Sequence, residues 1–154
     1  MNMVITIVQI STSKNLENPG GLERYVQALN FTRSHKGTFR IMTTEGIAQD
    51  SHWLIRSFAI ARFILKNKSE IDFIESHYIL SGLITVFLSK TPKVIFFHSP
   101  WAEEKLVSSQ SSQLTYRIRK YIEKLYLLKS NRIITVGKSM KEYLIKEHRI
   151  VRIS

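Results

Sequence analysis

The residues best suited to chemistry follow an apolar run at positions 94–97, in the stretch VIFFHSPWAEE. The imidazole of His98 could donate a hydrogen bond to a sugar hydroxyl or to a developing phosphate charge. Trp101, Glu103 and Glu104 could form a wall, with an aromatic face for a sugar ring and carboxylates for its hydroxyls. The alternative is structural: a buried histidine, a half-buried indole and two acids at a helix start.

A second histidine, His77, ends the previous apolar run at the equivalent position, and Tyr78 follows it directly. Two histidines after two successive runs are harder to explain as structural residues than one. The chain has no cysteine, and no carboxylate has the spacing of a convincing metal site, so zinc is a minor alternative and no metal is expected.

Two glycines, Gly20 and Gly21, precede a predicted amphipathic helix in NPGGLERYVQALN. Backbone N–H groups at such a helix start can approach a phosphate, although a simple turn is an equally supported interpretation. The dinucleotide fingerprint G-x-G-x-x-G and the phosphate-loop signature G-K-[ST] are both absent, as is the hydrolase elbow G-x-S-x-G. These absences disfavour an ordinary Rossmann dehydrogenase, a P-loop enzyme and a serine hydrolase.

Short β-branched runs alternate with longer patterns of helical period along the 154 residues. This alternation predicts a Rossmann-like, doubly wound parallel α/β sheet in a single domain. The predicted strands cover residues 3–10, 39–43, 71–75, 94–97 and 133–136, and the predicted helices cover 21–34, 51–68, 79–88, 114–128 and 138–147.

The candidate site residues all follow predicted strands. In parallel sheets the ligand binds in the crevice outside the carboxyl ends of the strands. We therefore expect Gly20 and Gly21, His77 with Tyr78, and the segment after residue 97 to meet at one edge of the sheet.

The net charge is +11, and residues 114–154 contribute 11 basic against 3 acidic residues. Such charge favours anionic partners. Arg117, Lys120 and Lys124 lie beside an apolar stripe on the predicted helix 114–128, which predicts peripheral contact with an anionic membrane surface. The alternative is a sheet-covering helix with a solvated cationic face. Nucleic acid is disfavoured because aromatic stacking platforms are not visible.

The chain opens with MNMVITIVQISTS, which lacks the charged start and small-residue cleavage site of a signal peptide. Its longest apolar run, residues 78–88, is shorter than the roughly 20 residues of a spanning helix. The sequence predicts a cytoplasmic protein, with peripheral contact at the inner face of the membrane as the added possibility.

Four blocks in order resemble the N-terminal half of family 4 glycosyltransferases, which have the GT-B architecture of two Rossmann-like domains facing a cleft. The blocks are GGLERYVQALN, DFIESHYILSGLITVFL, VIFFHSPWAEE and IEKLYLLKSNRIITVGKSMKEYL. The resemblance covers almost the whole chain, residues 1–154, as one N-terminal domain.

The resemblance implies a retaining transferase that moves a sugar from a nucleotide-sugar donor to a glycan or lipid-linked acceptor, with no metal or other cofactor. It implies that Gly20 and Gly21 lie near the donor diphosphate, and that His98 approaches the transferred sugar as the catalytic residue. The acceptor-binding candidates are His77, Tyr78, Trp101 and Glu103.

The chain departs from the family pattern in several places. Ser99 stands where glycine is usual, Gly137 stands where serine is common, and no two glutamates lie eight positions apart, as the donor-binding domain requires. We therefore expect a chain that lacks the donor-binding domain and is incomplete alone: either a truncated gene product or a chain completed by a separate donor-binding subunit. The alternative is a non-catalytic module that binds glycans or an anionic membrane.

Overall fold

The computed structural model describes residues 4–10, 21–34, 38–108, 112–151 and 153. Strands and helices alternate along these residues, and a π-helical turn, Leu144–His148, follows the last helix. The elements are β1 (Ile5–Ile10), α1 (Gly21–Ser34), β2 (Phe39–Thr43), α2 (Trp53–Lys66), β3 (Phe73–Ser76), α3 (Ile79–Leu88), β4 (Lys93–Phe97), α4 (Trp101–Ser108), α5 (Gln113–Leu128), β5 (Arg132–Thr135) and α6 (Lys138–Tyr143).

The five strands form one all-parallel sheet in the order β2-β1-β3-β4-β5. The predicted Rossmann-like α/β sheet in a single domain is confirmed. The strand order changes direction between β1 and β3. Strand β2 lies on one side of β1, and the chain then crosses to place β3 on the other side. In open parallel sheets that reversal opens a crevice at the carboxyl ends of the strands.

One face of the sheet carries the apolar core. Strand register aligns Val8 with Ile74, and Ile95 with Ile133, so that these side chains share a face. They pack with residues of α2, α3 and α5 in two buried clusters. Burial under helices explains why these strands read as nearly continuous apolar runs.

Most element bounds differ from the predicted ones by one or two residues, and three differences need a physical explanation. Strand β3 begins at Phe73 rather than at residue 71, because the Asp72 carboxylate accepts a hydrogen bond from the Thr6 N–H at 2.7 Å. A short helix, α4, occupies the stretch after His98, for which no full helix was predicted. The last predicted helix becomes π-helical at Leu144 and ends at Arg149, whose φ is 57°.

Candidate functional site

A cavity of about 240 Å³ opens at the carboxyl ends of β3 and β4. His77 follows β3 and His98 follows β4, and because these strands are neighbours the two rings meet. Nδ1 of His77 lies 3.2 Å from Nε2 of His98. The expected convergence of the two strand ends is therefore present. The cavity is lined by Ser76, His77, Tyr78, Ile79, Ile95, Phe96, Phe97, His98, Ser99, Trp101, Glu104 and Tyr126.

Of the two acids predicted for the acceptor wall, Glu104 lines this cavity and Glu103, the one named as an acceptor-binding candidate, does not. One residue along a helix is a rotation of roughly 100°, which turns neighbouring side chains in different directions. Burial and the charge of Glu104 raise the pKa of Tyr78. The charge of Glu103 instead acts on Tyr143, whose pKa is raised by burial and by Glu123 and Glu103. The carboxylate available to a ligand in the cavity is that of Glu104.

Trp101 forms part of the cavity wall rather than an open platform. Its indole packs against the core cluster around α3, β4 and α5, and the Arg119 guanidinium carbon lies 6.0 Å from the ring centroid. The indole N–H is buried and has no hydrogen-bond partner among the described residues. Buried polar groups generally have a partner, so this donor is an exception within the cavity wall.

The opposite face of the sheet carries a buried polar network that the sequence analysis did not identify. Glu75 in β3 is only 1% exposed, and Arg33 at the end of α1 binds both carboxylate oxygens, at 2.5 and 2.7 Å. Burial opposes ionisation of Glu75, but hydrogen bonds from His77 and Arg33 outweigh it and lower the pKa of the carboxyl. Glu75 is therefore a stable buried anion beside the histidine pair.

Gln9 links this anion to α1. The Gln9 and Asn30 amides exchange two hydrogen bonds, at 3.1 and 2.8 Å, and Gln9 Nε2 also lies 3.5 Å from Glu75 Oε2. A signal for these residues was present in the sequence, since Gln9 and Glu75 interrupt strands that are otherwise apolar. Buried polar residues are retained where they are hydrogen-bonded.

Burial lowers the pKa of His98 to about 4, and repulsion from His77 when that ring is also protonated adds to the shift. Tyr25 of α1 meets the His98 ring edge-on at 5.4 Å, and the His77 ring stacks on Phe96 at 4.5 Å. At neutral pH His98 is therefore uncharged. It can exchange hydrogen bonds with a ligand but does not supply a positive charge.

The predicted donor site is only partly described. Gly20 lies outside the described residues, and Gly21 is the first residue of α1. Phosphate binding by these glycines stays a prediction. Within the described part of the chain, no group of three or more metal-ligating side chains is close enough to hold a metal ion.

The predicted membrane-facing cations differ in their environments. Arg117 is exposed and Lys124 is partly exposed. Lys120 is already paired: its Nζ lies 2.5 Å from Glu147 Oε2 and 3.3 Å from the Tyr116 hydroxyl. The pair holds α5 to the π-helical turn, and contact of these three cations with a membrane stays a prediction. No described helix has both the length and the apolar character needed to cross a bilayer.

Comparison with known proteins gives one family. A sequence model described as Glycosyltransferase Family 4 matches residues 30–154, which is more than half of the chain. No curated protein matches the chain. The matched region contains β2 to β5 and includes both histidines and the whole cavity lining.

Proposed function

Because the chain belongs to glycosyltransferase family 4, we propose that these residues form the acceptor side of a retaining enzyme. That enzyme transfers a sugar from a nucleotide-sugar donor to a glycan or a lipid-linked acceptor. The observation that carries the proposal is the contact of His77 with His98 at 3.2 Å in the wall of the cavity. A cleft of this kind, with few and convergent polar groups, is typical of ligand sites.

The cavity residues have complementary roles in this proposal. Glu104 accepts hydrogen bonds from acceptor hydroxyls, the Trp101 ring forms an apolar wall for the sugar, and Tyr78 also lines the site. His98 approaches the transferred sugar. The attacking hydroxyl and the leaving diphosphate share one face of the sugar, so stabilisation of the leaving charge supplies most of the rate and no protein nucleophile is required.

The donor side is proposed to come from a second domain or subunit. Gly20 and Gly21 would approach the donor diphosphate from this side of the cleft, and the paired glutamates that are absent from these 154 residues would come from the other side. Transition-state stabilisation in a two-walled cleft requires both walls. We therefore expect these 154 residues alone to be inactive or very slow.

A transfer assay tests the proposal. Radiolabelled nucleotide-sugars are incubated with membrane extract as the acceptor source, with the chain alone and with the chain plus its neighbouring gene products. We expect transfer when the donor-binding partner is present and loss of transfer in His98→Ala. His52→Ala is the matched control, because His52 is exposed and lies outside the cavity lining. An active His98→Ala variant, or no transfer under any condition, would contradict the proposal.

A second candidate function, contact with an anionic membrane, is supported by the outer face of three neighbouring helices. An apolar groove of about 370 Å³ runs between α2, α3 and α5. Phe58, Phe87 and Leu88 are 55%, 42% and 56% exposed along this groove. Monomeric proteins rarely expose so continuous an apolar surface without a partner. The groove is lined by Phe58, Leu83, Ile84, Phe87, Leu88, Ile122 and Leu125.

The charges around this groove favour an anionic bilayer as the partner. Helix α2 contributes Arg62 and Lys66, and α5 contributes Arg117 and Lys124. The three helices contain one carboxylate, Glu123, and it is fully buried. Apolar side chains on helices whose exposed charges are all basic match the boundary of a membrane that contains acidic lipids.

Vesicle sedimentation tests this surface. We expect binding to phosphatidylcholine vesicles that contain phosphatidylglycerol, weaker binding at high salt, and a loss of binding in the Phe58→Ser, Phe87→Ser double variant. Lys124→Ala should weaken binding, whereas Lys120→Ala is the matched control because Lys120 is paired with Glu147. Equal binding to neutral vesicles, or apolar variants that only abolish self-association, would contradict a bilayer as the occupant.

A further inference from the structure

We propose that Glu75 is a positioning residue, which acts through His77 to determine which ring nitrogen of His98 carries hydrogen. In this arrangement His98 has its hydrogen on Nε2 and presents a bare Nδ1 to the ligand, as a hydrogen-bond acceptor. The role assigned to that acceptor rests on the proposed function, since a substrate hydroxyl is its expected partner. The arrangement of hydrogens itself does not depend on any activity.

The first step is the anchoring of the Glu75 carboxylate. Two nitrogens of Arg33 bind its two oxygens, at 2.5 and 2.7 Å, and the side chain is nearly inaccessible to water. An ionised carboxylate can only accept hydrogen bonds. Every other polar atom that approaches these oxygens must therefore provide a hydrogen.

The second step is the orientation of His77. Its Nε2 lies 3.7 Å from Glu75 Oε2, and its ring is held by stacking on Phe96. The Gln9 amide nitrogen has two hydrogens. One goes to Asn30 Oδ1 at 3.1 Å, and the other lies 3.5 Å from both Glu75 Oε2 and His77 Nε2. The ionised carboxylate is the stronger acceptor of the two, so this hydrogen goes to Glu75. The nearby Nε2 of His77 is therefore not needed as an acceptor and can donate toward the carboxylate.

The third step is the charge balance of the buried cluster. Arg33 already neutralises Glu75, so a positive charge on His77, which is 3% exposed, would have no counter-charge of its own. Uncompensated buried charge is strongly disfavoured. His77 is therefore neutral, with hydrogen on Nε2 and a bare Nδ1.

The last step determines which ring nitrogen of His98 carries hydrogen. Because Nδ1 of His77 has no hydrogen, the 3.2 Å contact requires that Nε2 of His98 donate. A neutral imidazole has one hydrogen, so Nδ1 of His98 is bare. No hydrogen bond to that atom is present among the described residues, and the side chain lines the cavity. A weakly basic acceptor of this kind orients a hydroxyl without removing its proton, which agrees with the lowered pKa of His98.

Long-range proton–nitrogen NMR of the histidine-labelled full chain tests the arrangement directly, because it distinguishes hydrogen on Nδ1 from hydrogen on Nε2. At neutral pH we expect both His77 and His98 as single species with hydrogen on Nε2. A wild-type spectrum with hydrogen on Nδ1 of His98, or with a mixture, would overturn the proposal without any variant.

The Glu75→Gln variant tests the cause. We expect loss of the single species at His98 and a mixture of the two tautomers. If that variant does not fold, Arg33→Met combined with Glu75→Gln removes both charges and keeps the site neutral. The matched control is Glu123→Gln, which alters the other buried carboxylate, 2.8 Å from His148 Nε2. The control should change the signals of His148 and leave those of His98 unaltered. An unchanged His98 in folded Glu75 variants would overturn the proposal.

The two proposals fail in distinguishable ways. If the tautomers follow Glu75 but no donor and partner support transfer, then the proposed function fails and the positioning role of Glu75 stands. If transfer occurs but the His98 tautomer does not depend on Glu75, then the positioning role fails alone. In an active complex we expect Glu75→Gln to lower kcat and Glu123→Gln to leave it unchanged.

Discussion

The hydroxyl of Tyr126 in α5 donates a hydrogen bond to Oγ of Ser76 at the end of β3, with an oxygen–oxygen distance of 2.5 Å. Both side chains are buried and both line the cavity. Gly82 of α3 packs against this pair, and a Cβ added there would collide with Ser76 Oγ and lie 2.8 Å from the Tyr126 hydroxyl. The absence of a side chain at Gly82 therefore lets three elements meet beneath the cavity.

Gly82→Ala should destabilise the fold by about 1–3 kcal/mol. Alanine favours a helix over glycine by roughly 0.5–1 kcal/mol, but overpacking against Ser76 and Tyr126 outweighs that gain. Urea unfolding followed by circular dichroism measures the change. Adding Ser76→Ala and Tyr126→Phe should recover part of the loss, because both colliding hydroxyls are then removed. A Gly82→Ala variant more stable than wild type would contradict the packing described.

Glu75→Leu should lower the free energy of unfolding by about 3–5 kcal/mol, because it leaves the partly buried Arg33 without its counter-charge. Combining it with Arg33→Met should recover a substantial part of the loss. Glu70→Ala is the matched control: Glu70 pairs with Arg40 at 3.5 Å with both side chains more than half exposed, so less than about 1 kcal/mol is expected. Equal effects at Glu75 and Glu70 would argue against a structural role for the buried pair.

Stability should fall as the pH is lowered from 7 to 4, partly because of His98. Its folded pKa is lowered to about 4, whereas the unfolded chain binds the proton near pH 6.5. The unfolded state therefore holds more protons in that window, and acid favours unfolding. Unfolding measured across this range should show a shallower slope in His98→Asn. The lowered pKa of Glu75 acts in a separate window below about pH 4.5, its ordinary value.

Ligand binding in the cavity should change the fluorescence of Trp101. Its ring forms part of the cavity wall, so a bound acceptor changes its surroundings. Trp53→Phe should keep the signal and Trp101→Phe should remove it. The ligand is the acceptor identified by the transfer assay. A signal that persists in Trp101→Phe would place the ligand elsewhere.

Much of the framework follows from local sequence. Among the residues that the structure describes, the β-branched runs and helical patterns predicted the five strands and five of the six α-helices, because burial and periodicity depend on local sequence. The placement of His77 and His98 at one sheet edge also followed, since every strand of a parallel sheet points its carboxyl end the same way. Helix α4 was missed as an element because eight residues are too few for a clear period.

Other features required the tertiary structure. Whether Glu103 or Glu104 faces the cavity depends on the rotation of α4 about its axis. The pairing of Lys120 requires that Glu147, 27 positions later in the chain, lie beside α5. Arg33 and Glu75 are 42 positions apart, so no local pattern could predict their contact.

The sequence by itself determined the parallel α/β class, the family and the sheet edge that carries the two histidines, because these depend on local periodicity and on motifs in order. Only the tertiary structure decided which polar side chains meet beneath that edge. Arg33, Glu75 and His77 come together through the packing of α1 on one face of the sheet. Side-chain contacts of that kind depend on distance and orientation in space, and these are not recorded in the spacing of residues along the chain.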